Sequence, residues 1–390
     1  MRASGLAVIA VLLATGTSFA APVRLAIHNP LALERKAAAV EVPTSLLPRG
    51  IHGEWVAVSN GQITPLQFEK NARTAITVLD LPANSEVSLL LRPRTETDPA
   101  PADVARATIP IKDGDKYREV RKFVVPKTHV IHDPLFPIEG AGWESGRVGY
   151  RVYLDTRNAT DVFGKKLPAP VLHTIGQSTA SYHEEGVWGM DVWHVGDSLG
   201  GGGLGVLRKG MATQIGDPKR IVATVESSGP VLAGLRVEDN GFTYKGHARN
   251  LMVRYSIAAG SRLSMNTAAA TPGTPLVAGF GKYPSSVFIQ SQNDARSGWG
   301  YIATWGRQSE NGKDDIGVAL FYPLKEVVRT GDDGRSYFIV FKNPAKARYA
   351  FAAAWAREGG GIPDEAGFRA YIDRTATELS HPVFVTAERK

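Results

Sequence analysis

The stretch Arg147-Val148-Gly149-Tyr150-Arg151-Val152-Tyr153-Leu154-Asp155 alternates polar and apolar side chains. Successive side chains of a β-strand point to opposite faces of its sheet. One face of this strand therefore carries two arginines, a tyrosine and an aspartate, while the other carries Val148, Tyr150, Val152 and Leu154. We predict that the apolar face joins a core and that the polar face lines a groove. A solvated outer face, on which Arg151 pairs with Asp155, fits the same pattern equally well.

Strand-like segments of similar length recur on both sides of this stretch. The chain has 41 glycines and 24 prolines among 390 residues and only short apolar runs, which favours many strands and turns over long helices. The Asn60-Gly61 pair between two such segments is a strong signal for a two-residue hairpin. We predict a mainly β fold, with a small N-terminal β-module over residues 21–95 and a large antiparallel β-sandwich over residues 105–390.

The end of the chain changes character. Phe368, Tyr371, Ile372 and Leu379 recur near helical spacing. Pro363, Asp364 and Glu365 precede them, which is typical of a helix start, and Pro382 follows them. The pattern predicts one C-terminal helix that packs on the sandwich.

Residues 1–20 resemble a secretory signal peptide. Arg2 provides the positive charge, residues 5–14 form a short apolar run, and Ser18-Phe19-Ala20 has the small residues of a cleavage site. No later apolar run has the length of a transmembrane helix, and the sequence contains no cysteine for a lipid anchor or a disulfide. We expect a periplasmic or secreted protein without a membrane anchor.

The formal net charge of +7 narrows the choice of partner. The lysines and arginines are dispersed, and no basic run is interleaved with aromatic residues, so nucleic acid is not expected. An acidic oligosaccharide or polysaccharide suits an exported basic protein better, although dispersed charge also serves solubility. The sequence gives no indication of the oligomeric state.

A second stretch concentrates chemically active side chains. It runs Tyr182-His183-Glu184-Glu185-Gly186-Val187-Trp188-Gly189-Met190-Asp191-Val192-Trp193-His194-Val195-Gly196-Asp197 and leads through Ser198-Leu199 into Gly200 to Gly203. Charged side chains are rarely buried without partners, so this density favours a functional site over core packing. The glycines are not a phosphate loop, because no Gly-Lys-Ser/Thr follows them. They are instead expected where the backbone passes close to another chain or a ligand.

Acid–base catalysis is the chemistry that this second stretch fits best. Histidine titrates near neutrality and works best when a carboxylate orients it, so His183 is the first candidate for the base, with Asp191 beside it. Tyr153 is a second candidate for the base. Arg151 is the candidate clamp for a substrate carboxylate, since its planar fork suits that group. A loop of merely solvated charges is the alternative.

Five further residues are candidates for substrate binding. Trp188 and Trp193 would stack on sugar rings, although tryptophan is as often a core residue. Lys165 would neutralise a carboxylate, and Asp155 lies on the same strand face as Arg151. His194 is also a candidate, although an extended segment would place it on an apolar face as a core histidine. No compact metal-ligand spacing is present, so we predict no cofactor and keep a divalent cation as the alternative.

The motifs that run from Tyr150-Arg151-Val152-Tyr153 to Gly164-Lys165-Lys166 and from Tyr182-His183-Glu184 to Ser198-Leu199-Gly200 resemble an exported bacterial family of unknown function. Its members occur among genes for the use of pectin and other uronate-containing polysaccharides. The segment Glu226-Ser227-Ser228-Gly229-Pro230-Val231 also resembles a strand-turn-strand of galactose-mutarotase-like domains. The resemblance implies a β-supersandwich fold and a carbohydrate-related role, but fold alone leaves several activities open.

These observations lead to a first functional hypothesis and two alternatives. The protein is expected to be an enzyme that acts on uronate-containing oligosaccharides as a lyase or an epimerase, because both reactions move a proton on the sugar ring. A non-catalytic sugar-binding protein is the alternative from a different class. A glycoside hydrolase with paired carboxylates is a third hypothesis, since carboxyl separation is set by the fold.

Overall fold

The computed structural model describes residues 21–48, 51, 53–68, 73–101, 104–292 and 298–388, so the expected signal peptide lies outside it. The described residues are mainly β. The strands of the first third of the chain are β1 (Val23–Asn29), β2 (Arg35–Pro43), β3 (Trp55–Ser59), β4 (Gln62–Phe68), β5 (Thr74–Leu81), β6 (Ser85–Pro93), β7 (Ala105–Thr108), β8 (Pro110–Asp113), β9 (Lys116–Glu119) and β10 (Lys122–Val124).

The remaining two thirds of the chain supply most of the sandwich and one α-helix. The elements in order are β11 (Gly140–Ser145), β12 (Val148–Tyr153), β13 (Thr160–Lys165), β14 (Gly189–Asp191), β15 (Gly201–Arg208), β16 (Met211–Thr213), β17 (Arg220–Ser227), β18 (Leu232–Tyr244), β19 (His247–Ala258), β20 (Leu263–Ala270), β21 (Leu276–Gly281), β22 (Ser286–Gln290), β23 (Trp299–Arg307), β24 (Asp315–Pro323), β25 (Val327–Asp332), β26 (Ser336–Phe341), β27 (Lys346–Trp355), α1 (Glu365–Ser380) and β28 (Phe384–Ala387). Short 3₁₀ turns occupy Thr44–Leu46 and Leu324–Glu326.

The N-terminal module is one antiparallel sheet of seven strands in the order β2-β5-β4-β3-β6-β1-β28. Its apolar face buries a separate core that includes Trp55, Leu89 and Leu91. Asn60 and Gly61 join β3 to β4 with positive φ angles of 47° and 77°, as the hairpin prediction requires. The edge strand β28 was expected in the main domain. It pairs instead with β1, so both ends of the described chain meet in this sheet.

The main domain is a sandwich of large antiparallel sheets, which confirms the predicted fold class. One layer is a nine-stranded sheet in the order β10-β17-β18-β19-β20-β27-β24-β23-β22. Two five-stranded sheets face it, in the orders β14-β13-β12-β11-β7 and β16-β15-β21-β26-β25. Side chains from all three sheets fill one continuous core, to which Trp143, Tyr255 and Phe351 contribute.

The two five-stranded sheets meet where the glycine run begins. Thr160, at the start of β13, forms a parallel bridge with Gly200, just before β15. Gly200 has a φ of 79°, and a Cβ atom at this position would lie 1.9 Å from the carbonyl oxygen of Thr160. At Gly200 the close backbone approach that the glycines indicated is therefore made within the chain, rather than to another chain or a ligand, and it joins two sheets into one layer.

Helix α1 packs on the outer face of the nine-stranded sheet. Its apolar stripe includes Phe368, Ile372 and Ala376, which bury against β23 and β24. Asp364 caps the helix by accepting a hydrogen bond from the Gly367 amide at 2.8 Å, in agreement with the predicted start. None of the helices in the described ranges has the length and apolar character needed to cross a membrane.

Candidate functional site

The polar face of β12 lies inside the protein. Arg151 is only 1% exposed and donates from Nη2 to Asp161 on the neighbouring strand β13, at 2.6 Å. The Tyr153 hydroxyl accepts from the same Nη2 at 2.5 Å and donates to Asp161 at 2.6 Å. Alternation correctly placed Arg151 and Tyr153 together, but a buried network takes the place of the predicted groove.

Strand β14 adds a second carboxylate to this network. Asp191 is fully buried, and its Oδ2 accepts from Arg151 Nη2 at 2.8 Å. Arg151 also donates from Nη1 to the Tyr182 hydroxyl and to the Ile138 carbonyl, each at 3.1 Å. One guanidinium thus holds two aspartates and ties the loop before β14 to the sheet.

His183 covers the network on its solvent side. The Asp191 amide donates to the Tyr182 carbonyl at 2.8 Å, which fixes the residue before His183 against β14. His183 Nδ1 lies 3.6 Å from Asp191 Oδ2, and 46% of its side chain is exposed. The imidazole therefore connects a buried carboxylate with solvent.

Glu310 approaches His183 from the loop between β23 and β24. Its amide donates to the Val192 carbonyl at 3.0 Å, which anchors this loop beside β14. Glu310 Oε2 lies 3.1 Å from His183 Nδ1, and Glu310 Oε1 lies 3.9 Å from His194 Nδ1. Tyr283 donates its hydroxyl proton to the His194 carbonyl and so fixes the backbone of the second histidine.

The two carboxylates beside His183 have opposite pKa shifts. Burial raises the pKa of Asp191 well above its ordinary value, and the charge of Asp161 adds to this rise against the opposing charge of Arg151. Burial also raises the pKa of Glu310. The hydrogen bond and charge of His183, and then the charge of His194, together lower this pKa by more than burial raises it. The pKa of Glu310 therefore lies below its ordinary value.

Arg151 and Tyr153 do not fit the roles expected from the sequence. The hydrogen bonds of Arg151 go to protein groups, so it is not placed to clamp a substrate carboxylate. Burial, followed by the charge of Asp161, raises the pKa of the Tyr153 phenol above its ordinary value. Tyr153 is also only 4% exposed, which places it away from any substrate as a base.

Lys165 and Asp155 also point away from solvent. Lys165 Nζ lies 2.6 Å from Glu144 Oε2, and neither side chain has exposed surface. Asp155 is buried beside Arg157, whose Nε donates to it at 3.0 Å. Both residues serve structural ion pairs here, and neither is placed to bind substrate.

The two tryptophans and His194 differ in how far their side chains are exposed to solvent. Trp193 is 1% exposed and packs in the main core against Tyr283, while Trp188 is half-buried beside Phe163 and reaches the surface. The side chain of His194 is 67% exposed, so it is not the core histidine that an extended segment would have made it, and its role in substrate binding stays a prediction. The chain turns out of strand geometry after Asp191, which breaks the alternation on which that prediction rested.

Sequence patterns did not reveal Glu310. It stands in Ser309-Glu310-Asn311-Gly312, a segment that the sequence identifies only as a turn, and lies 127 positions from His183. The structure brings His183, Asp191 and Glu310 together with their ligand atoms all within 4.8 Å of one another. A histidine nitrogen and two carboxylate oxygens form a donor set that can hold a divalent metal ion.

Comparison with known families assigns the chain to a family. The family described as Domain of unknown function (DUF4861) matches residues 27–385. The chain belongs to this family. The DUF4861 match extends over both the N-terminal module and the main sandwich. No curated protein sequence matches the chain.

Two solved structures resemble this DUF4861 protein over 94% of its length. They are an alpha-mannosidase from Enterococcus faecalis V583 and a protein in the Glycosyl Hydrolase Family 38 from Enterococcus faecalis. Each is 8% identical to the chain and superimposes with a TM-score of 0.46. The similarity covers 46% and 47% of those chains, so this protein spans about half their length.

Proposed function

We propose that this protein is a carbohydrate-active enzyme that acts on uronate-containing oligosaccharides, as a lyase or an epimerase. The observation that carries the proposal is the pair of exposed imidazoles, His183 and His194, on either side of the Glu310 carboxylate. An exposed imidazole that a fixed carboxylate orients is suited to proton transfer. The sequence resemblance to a family found among uronate-utilisation genes supplies the substrate class.

Both reactions begin with the same step. The base removes the proton from the ring carbon next to the sugar carboxylate, and the electrons pass into that carboxylate. In a lyase they return to form a carbon–carbon double bond while the glycosidic oxygen leaves and takes up a proton. In an epimerase a proton returns to the opposite face of the same carbon. We assign this transfer to His183, which Glu310 orients at 3.1 Å, and to His194, whose Nδ1 lies 3.9 Å from the same carboxylate.

Glycoside hydrolysis is the second candidate, because oxygens of Asp191 and Glu310 lie within 4.8 Å of each other. Retaining glycosidases place two carboxyl groups about 5–5.5 Å apart. Asp191 is fully buried beneath His183, however, whereas a glycosidase nucleophile must contact the sugar. The proton-transfer proposal therefore fits the exposure of the residues better.

A panel of pectin- and alginate-derived oligosaccharides tests the proposal. We expect either unsaturated products, seen by ultraviolet absorbance, or exchange of the proton next to the carboxylate in D₂O, seen by NMR. His194→Ala should reduce the rate at least about 100-fold, in line with the usual contribution of a general base. The control His132→Ala changes an exposed histidine that also contacts a carboxylate, Glu139, and should leave the rate unchanged. Saturated products with new reducing ends would favour hydrolysis, and binding without turnover would favour a sugar-binding protein.

A further inference from the structure

The geometry points to a divalent metal site formed by His183 Nδ1, Asp191 and Glu310. The two carboxylate oxygens lie 3.6 and 3.1 Å from the histidine nitrogen. In a tetrahedral zinc site with bonds of about 2.0–2.2 Å, neighbouring ligand atoms lie roughly 3.3–3.6 Å apart. The 3.6 Å separation matches this range and is too long for a hydrogen bond, whereas the 3.1 Å contact is a hydrogen bond that a metal ion would replace. The three ligand atoms all lie within 4.8 Å of one another. Small side-chain movements would complete the site.

The charges around His183 provide a second, independent argument. Asp161, Asp191 and Glu310 contribute three carboxylates, and Arg151 is the guanidinium that contacts the two buried aspartates. Two of these carboxylates are buried and share one guanidinium, so with both ionised and the histidines neutral the group would carry two more negative than positive charges. Buried charges are normally paired or bind metals. A divalent cation would balance them. It would also allow an anionic sugar to approach, an advantage that rests on the proposed function.

The ligands are already held by neighbouring groups. Arg151 donates to Asp191, and the backbone bonds at Val192 and Tyr182 fix the segments that carry Glu310 and His183. Such outer contacts orient metal ligands in known sites. One imidazole nitrogen with two carboxylate oxygens suits a first-row ion such as Zn²⁺ or Mn²⁺, whereas Ca²⁺ prefers oxygen ligands alone.

A metal at this position would also separate the roles of the two histidines. His183 Nδ1 would be occupied as a ligand, while His194 would remain as the exposed imidazole beside Glu310. His194 would then be the base of the proposed reaction. The metal charge would stabilise the electrons that pass into the sugar carboxylate.

Titration of the chelator-treated full-length protein with ZnCl₂ and MnCl₂, followed by calorimetry and thermal unfolding, tests this site. We expect one ion per chain and a higher unfolding temperature with the ion bound, because binding only to the folded state stabilises it. His183→Ala and Glu310→Gln should each weaken binding at least about tenfold, since even the loss of a group that only orients a ligand costs about 10–100-fold in metal affinity. His132→Ala should bind as the wild type does. Circular dichroism checks that each variant is folded, and Glu310→Gln preserves side-chain shape if His183→Ala does not fold.

The outcomes distinguish failure of the metal-site proposal from failure of the proposed function. No binding of either ion, or equal binding by wild type and Glu310→Gln, would overturn the metal site. Full turnover of a uronate substrate by metal-free protein would overturn the catalytic role given to the ion, while leaving the proposed function intact. One-to-one binding that both variants lose, together with inactivity on every uronate tested, would support the metal site and remove the proposed function.

Discussion

At the scale of single residues, the buried ion pair of Lys165 with Glu144 should contribute to stability. Lys165 forms this pair with Glu144, whose carboxylate also accepts the amides of Val171 and Leu172 at 2.8 and 2.7 Å. Lys165→Met should lower the free energy of unfolding by about 3–5 kcal/mol, because it leaves Glu144 buried without its cation. Lys166→Met, next in sequence but about one third exposed, should change it by less than about 1 kcal/mol in denaturant titrations. Similar small losses in both variants would contradict the structural role of Lys165.

Asp239 should make stability depend on pH. It is fully buried, Asn158 donates to its Oδ1 at 2.6 Å, and burial raises its pKa from 3.8 to about 7 against that hydrogen bond. Between about pH 4 and 7 the unfolded chain loses the Asp239 proton while the folded chain keeps it. The free energy of unfolding should therefore fall as pH rises through this window, by up to roughly 4 kcal/mol.

Asp239→Asn removes the titrating group and should remove that part of the slope. The measurement is the urea midpoint at several pH values between about 4 and 7, for the wild type and the variant. Parallel pH profiles for the two proteins would show that Asp239 is ionised throughout this range in the folded state.

The residues of the site show what sequence alone could establish. Alternation placed Arg151 and Tyr153 on one face, and the density of polar groups identified His183 and Asp191 as neighbours. Burial of that face could not be predicted, because it depends on Asp161 and Asp191 arriving from positions 10 and 40 residues away. Glu310 could not be found either, since local sequence carries no signal of a contact across 127 positions.

At the scale of elements, the junction between the two five-stranded sheets depends on Gly200. Gly200→Ala would force a Cβ atom to within 1.9 Å of the Thr160 carbonyl oxygen at a φ of 79°. We expect a loss of at least about 1–3 kcal/mol in the free energy of unfolding, the usual cost of backbone strain, with the clash in addition.

Gly210→Ala is the matched control for this prediction. Gly210 has a similar φ of 85°, but no atom of the described residues lies within 4 Å of the position that a Cβ would take. Only backbone strain of about 1–2 kcal/mol should therefore appear. Thermal and denaturant unfolding of both variants give the comparison. Equal destabilisation would show that the Thr160–Gly200 contact adds nothing beyond the backbone angle.

Most strands and the helix were predictable, because period-2 and period-3.6 patterns are local. The helix, from Glu365 to Ser380, begins beside the predicted Pro363-Asp364 start and ends before Pro382. The segment after Asp191 was harder, since it leaves strand geometry to run under Glu310 and Tyr283. Contacts distant in sequence decide its path.

At the scale of the whole molecule, the chain combines a basic net charge with an acidic centre. The formal net charge is +7, whereas the His183 centre gathers Asp161, Asp191 and Glu310 around Arg151. If the substrate is an acidic sugar, as we propose, the net positive charge would favour its approach over distances of about a Debye length, while the carboxylates of the centre would repel it unless a cation is bound. Sequence composition gives the net charge, whereas only the assembled fold brings the three carboxylates together.

The structure of the protein bound to a uronate oligosaccharide tests the central claim most directly. In crystals of the slow His194→Ala variant with metal present, we expect a sugar carboxylate beside His183 and Glu310, with the adjacent ring carbon facing position 194. An oligosaccharide bound only elsewhere would contradict the assignment of this centre. Binding of the oligosaccharide only in the cavity of about 780 Å³ between helix α1 and strands β22 and β23, which Trp299, Arg369 and Asp373 line, would be such a contradicting result.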